Sequence, residues 1–96
     1  MILRLTEIAK SDIANTMAYY NDESPGLGDE FADEVYRTLG RIADHPSAWR
    51  QISKKIRRCP TQRFQYGVFY QVAAGEILVV AVLHLRRHPQ SWRHKR

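Results

Sequence analysis

A chain of 96 residues, 44% hydrophobic and 26% charged, has room for one hydrophobic core and is expected to fold as a single domain over residues 1–96. Its net charge of +5 is unevenly placed: eleven of the fifteen Lys and Arg lie from Arg50 onward, where Glu76 is the only acid, so a cationic face for a polyanion or an acidic protein is expected. The single cysteine, Cys59, excludes an internal disulfide and a cysteine-built zinc site, and the longest apolar run, Ile77 to Leu83, is far too short to cross a bilayer.

The start, "MILRL", reads as a short strand, and Arg4 and Glu7 interrupt it too early for a signal peptide, so a soluble cytoplasmic protein is expected. From Glu7 the period changes. Ala9, Ile13, Met17 and Tyr20 recur at four, four and three, one face of a helix. "NDESPG" breaks it, with Ser24 as the expected N-cap of a second helix and Pro25 at its first position. That helix carries Leu27, Phe31, Val35, Leu39 and Ile42 on one stripe. Asp29, Glu30, Asp33 and Glu34 near its start suit the positive end of the helix dipole. Pro46 ends it, because a residue before proline is pushed out of helical space.

Residues 46–56 read as a loop anchored by Trp49, and "IRRCPT" as an edge strand, where Pro60 is tolerated. Phe64 to Val72 alternates with period two, the pattern of a strand with one core face. "AAG" makes a turn into a second hairpin arm, residues 76–84, whose unbroken apolar run predicts a central strand buried on both faces. The order β-α-α-β-β-β, with two striped helices needing a sheet to bury against, predicts an α+β two-layer sandwich.

On "SPGLGDEFADEVYRTLGRIADHP", "RRCPTQRFQYGVFYQV" and "ILVVAVLHLRRHPQSW" the chain resembles the RelE/ParE superfamily of toxins from type II toxin–antitoxin, or plasmid stabilisation, modules. The resemblance spans nearly the whole length and implies a helical hairpin on a small, mainly antiparallel sheet. It also implies a growth-arresting toxin held inactive by a cognate antitoxin, no cofactor or metal, and no membrane partner. Operator DNA would be met only through the antitoxin. ParE-like members poison DNA gyrase; RelE-like members cut mRNA on the ribosome. Gln65 stands where many members carry proline, and Trp92 where the nucleases usually carry tyrosine.

Metal-free RNA cleavage needs a base, an acid and cations for the developing charge. His84 with Arg63 and Arg86 would fill the catalytic roles, and Lys54 and Lys55 would hold the nucleic-acid backbone. Trp92 can stack on a base but has no titratable proton, which favours the ParE-like side. Target or antitoxin binding is expected at Arg57, Arg58, Arg86, Arg87 and Trp92, with an acidic antitoxin segment covering the sheet edge and the Arg86–Arg87 corner. Blander readings stand beside these. A strand-end histidine is usually capped or solvated, Arg57 and Arg58 would also protect a sheet edge, Tyr66 and Tyr70 read as core, Tyr19 and Tyr20 split between surface and core, and Cys59 reads as inert. A non-catalytic nucleic-acid-binding module is a third reading, although both helices lie in the acidic half.

Overall fold

The computed structural model describes residues 1–87. Strand β1 (Ile2–Leu5) leads into α1 (Glu7–Glu23) and α2 (Leu27–Asp44), followed by β2 (Arg50–Gln51), β3 (Arg57–Pro60), β4 (Tyr66–Ala73) and β5 (Glu76–His84). The sheet order is β1-β5-β4-β3-β2. β1 runs parallel to β5 and the other pairs are antiparallel, so the α+β two-layer reading holds.

Each helix is fixed at its start by a side chain reaching a backbone N–H. Thr6 Oγ1 accepts from Ala9 N at 3.1 Å at the head of α1. α2 begins later than the sequence suggests. Its cap is Gly26 in the left-handed region (φ 91°), not Ser24, and Pro25 lies in the turn before it. The hydrogen bond comes instead from α1, where Asn21 Oδ1 accepts from Gly28 N at 2.7 Å. Gly28 has to be glycine at this crossing, because a Cβ there would lie 2.2 Å from the Met17 carbonyl oxygen. His45 closes α2 as expected, and Tyr70 Oη donates to the Pro46 carbonyl at 2.6 Å.

The second half departs from the expected boundaries in three places. Residues 50 and 51, read as loop, form the edge strand β2, so β3 is second from the edge; β2 covers only Arg57 and Arg58, leaving Pro60 with no missing donor on that side. β4 starts at Tyr66 and not Phe64, because Phe64 (φ 74°) and Gln65 (φ 56°) both turn into the left-handed region. Proline cannot take the Gln65 angle. The third departure is inside β5. Phe69 pairs with Ala81 and Tyr70 with Val79, so Val80 is an extra residue, a β-bulge.

That bulge explains the run without alternation. Ile77, Val79 and Val82 face the helices with Phe31, Val35, Ile42, Tyr66, Val68 and Tyr70. Val80, Ala81 and Leu83 join Phe69, Ile56, Ile52 and Leu85 in a smaller cluster on the other face. β1 stops beside Val79, and side chains continue the pairing: Thr6 Oγ1 donates to the Val80 carbonyl at 3.4 Å and Asp12 Oδ2 accepts from Val82 N at 2.9 Å.

Candidate functional site

The exit of β5 and the loop before β4 meet at one corner of the sheet. Thr61 builds the loop by folding onto itself: its Oγ1 lies 3.1 Å from both Tyr66 N and Tyr66 O and also donates to the Arg63 carbonyl. Glu34, 2% exposed, reaches up from α2 and accepts from Gln62 N at 2.6 Å and from Arg37 Nη2 at 3.1 Å. Burial alone would raise its pKa. The N–H groups of Gln62 and Arg63 and the Arg37 guanidinium outweigh that and hold the carboxyl below its usual range. The charge is therefore kept, and it fixes the loop that presents Arg63.

Arg63 lies over the Phe64 ring at 4.8 Å and pairs with Glu30 at 3.1 Å. Behind it, Tyr20, Phe31, Phe64 and Tyr66 form a nest of tilted and edge-on rings with centroids 4.9–6.3 Å apart. Burial, and then the neighbouring Tyr66, raise the Tyr20 pKa. Tyr19 stays half exposed, so the two tyrosines split as expected.

The loop is tied to the strand exit, since Leu85 N donates to the Gln65 carbonyl at 2.9 Å. His84 sits edge-on to Tyr66 at 5.1 Å. Its Nδ1 accepts from Arg86 N at 3.2 Å and Arg87 N at 3.1 Å, so the ring closes the turn that follows β5. The lone pair a general base would use at Nδ1 is thereby occupied, and a neutral ring carries its proton on Nε2. Arg87 extends over Tyr19 at 5.7 Å and donates to Tyr66 Oη at 3.4 Å, while Arg86 is exposed.

The sequence-predicted residues therefore divide. His84, Arg63, Arg86 and Arg87 come together at this corner. Lys54, Lys55 and Arg57 lie at the other end of the sheet, in a groove beside Gln71, Val72 and Ala73. Six residues of β4 separate the two places, roughly 20 Å at strand rise. Arg58 is in neither group: its stem covers Gly67 on the helix-free face. Trp92 lies outside the described residues, as do His88 and Pro89.

Trp49 is the expected anchor, with its ring under Arg41 at 5.7 Å and packed against the core. Cys59 is fully buried and its thiol is pushed up to about 11 by that burial, so the inert reading holds. Sequence reasoning missed Glu34 as the organiser of the corner. The signal was present: Glu34 lies three residues after Phe31 and beside Val35, within the apolar stripe.

A family model described as the ParE toxin of the type II toxin–antitoxin system parDE matches residues 3–89. No curated protein matches the sequence. Among solved structures the chain is similar to a chromosomal ParDE TA system from P. aeruginosa, with a TM-score of 0.78 and 16% sequence identity over 88% of this chain and 95% of that one. At that identity the likeness is one of fold.

Proposed function

The chain belongs to the ParE toxin family of type II toxin–antitoxin systems, and from that premise we propose that it arrests growth by acting on DNA gyrase and is kept silent by a cognate antitoxin. It acts in the cytoplasm, and any contact with operator DNA is made by the antitoxin. No helix among the described residues is long and apolar enough to cross a membrane.

The observation that supports gyrase over mRNA cleavage is the engagement of His84. Its Nδ1 receives two backbone N–H groups, so the one histidine at the cationic corner among the described residues serves the turn. Arg63 is paired with Glu30, and Arg87 lies against Tyr66 and Tyr19, so both guanidiniums already have partners within the corner. The exposed Arg86 and Arg87 would present it to the target or the antitoxin.

The test is a short induction of this chain alone in a bacterial host. Growth arrest with loss of negative supercoiling in a reporter plasmid and unchanged mRNA 5′ ends is expected. Codon-phased new 5′ ends would replace this reading by ribosome-dependent cleavage. Charge reversal of Arg86 and Arg87 together should weaken toxicity or antitoxin binding; no change in either assay removes that corner from the target surface.

A further inference from the structure

Arg50 and Arg58 stand directly opposite each other in the β2–β3 pair. Residues so placed in an antiparallel ladder share a face, with Cβ atoms about 5 Å apart. The row continues through Phe69 and Ala81, both in the helix-free cluster, so the two arginines belong to that side of the sheet. Arg57 alternates to the other side, where its Nη1 donates to the Trp49 carbonyl at 2.7 Å.

Like charges directly opposite destabilise a sheet, and this pair has no internal counter-charge. Glu76, the only acid after Asp44, is taken by Arg4 at 2.8 Å, and no carboxylate among the described residues pairs with Arg50 or Arg58. Arg58 is also confined. Its stem lies along Gly67, where a Cβ would sit 3.2 Å from the arginine Cγ and 2.7 Å from Leu85 Cδ2. In that position its Nε is buried with no hydrogen-bond partner, an arrangement that costs stability. The fold therefore holds a guanidinium against the sheet beside a second one, on a strand pair with nothing of its own to neutralise them.

The chemistry narrows the ligand. A carboxylate has two oxygens, which the fork of one guanidinium fills, whereas a phosphoryl group offers three in a tetrahedral array and can bridge two guanidiniums. A nucleobase would need a ring to stack on, and the ring in this row, Phe69, is 1% exposed. We infer that Arg50 and Arg58 form a phosphoryl-binding site on the helix-free face, one that takes the group itself without reading an attached base. A nucleic-acid backbone and a free anion such as pyrophosphate carry the same group, and the site meets either through the Nη atoms of the two arginines. The inference stands on the β2–β3 pair and is independent of the toxin reading.

The experiment uses the full chain made by cell-free synthesis. Calorimetry measures binding of pyrophosphate, and fluorescence polarisation measures binding of a short fluorescein-labelled DNA duplex, with pyrophosphate and an Asp-rich peptide as competitors at constant ionic strength. Arg50→Gln and Arg58→Gln should each weaken binding by about tenfold, the scale of a hydrogen bond to a charged group. Lys10→Gln removes the same charge from α1, in the other layer, and should change binding by less than about twofold. Arg50 is exposed, so its variant folds whatever Arg58→Gln does. Without the anion Arg50→Gln should melt above the wild type, because a repulsion is gone, and whichever probe binds should raise the wild-type Tm more than that of the variant. Pyrophosphate that displaces the duplex supports a site open to both sources; binding of one probe alone supports the site and names its source. Binding of neither, equal losses in Arg50→Gln and Lys10→Gln, or stronger displacement by the acidic peptide than by pyrophosphate overturns the inference.

Discussion

The Glu34 carboxylate accepts the Gln62 backbone N–H at 2.6 Å, joining the middle of α2 to the loop that carries Arg63. Replacing it by glutamine keeps one acceptor and removes the charge that Gln62, Arg37 and Arg63 N–H groups converge on. A loss of about 2 kcal/mol is expected, the scale of a hydrogen bond to a charged group.

The same residue sets a pH dependence. Its native pKa lies below the ordinary 4.5, so the unfolded chain takes up this proton first as pH falls. The stabilisation is therefore complete above that value and is lost as pH drops through it toward the lower native one. Urea midpoints measured between about pH 6 and 3 should fall more steeply for the wild type than for Glu34→Gln. Parallel curves would show that the carboxylate contributes nothing through its charge.

Gly28 lies where α1 and α2 are in contact, and an added Cβ would overlap the Met17 carbonyl oxygen at 2.2 Å and the Asn21 side chain at 2.7 Å. Because one contact is backbone, relief requires the helices to move apart. Gly28→Ala should cost about 2 kcal/mol despite alanine's better helix propensity. In a domain of this size that is a fall in Tm of roughly 10 °C, readable by circular dichroism. A Tm raised by the substitution would mean the helices separate without penalty.

Gln65 holds a φ of 56°. Gln65→Gly removes the side-chain penalty of that angle and should stabilise the protein by up to about 1 kcal/mol. Gln65→Pro cannot adopt the angle and should cost at least about 2 kcal/mol. Equal chemical-denaturation midpoints for the two variants would contradict the loop described above.

The contrast at Gln65 shows what could be read from the sequence. Helix faces and strand alternation are local, so Ala9 to Tyr20, Leu27 to Ile42 and Tyr66 to Val72 were legible with errors of a residue or two. The late start of α2 was not, because the side chain that holds its first turn is Asn21, seven residues before Gly28 and on another helix. The Val80 bulge was hidden for a different reason: an all-apolar run carries no phase, so a shift from one face to the other leaves no mark in the letters. At the corner, the residue types were legible and their engagements were not. Nothing in "HLRR" says that the histidine turns back onto the two following N–H groups. Lys54, Lys55 and Arg57 were read as cationic, but the groove that gathers them depends on where β3 begins, at Arg57 opposite Tyr70.

His84 gives the clearest separation of the two toxic chemistries. Its described role is to accept the N–H groups of Arg86 and Arg87 at Nδ1, two and three residues ahead. Asparagine can make the same forward contact through its side-chain oxygen, as it does in Asx turns, but it cannot move a proton near neutral pH. His84→Asn should therefore keep the turn, melt within a few degrees of the wild type and still arrest growth. His84→Phe fills the space beside Tyr66 without an acceptor and should lose about 1 kcal/mol, with weaker arrest as the Arg86–Arg87 turn loosens. A catalytic histidine would behave differently: His84→Asn would lower activity by about 10²–10⁴-fold with unchanged stability. Growth curves, thermal melts and mRNA 5′ ends measured on the same two variants decide it. Arrest that survives asparagine and fades with phenylalanine assigns His84 to the architecture of the cationic corner, whereas arrest and mRNA ends that vanish together with asparagine assign it to bond cleavage.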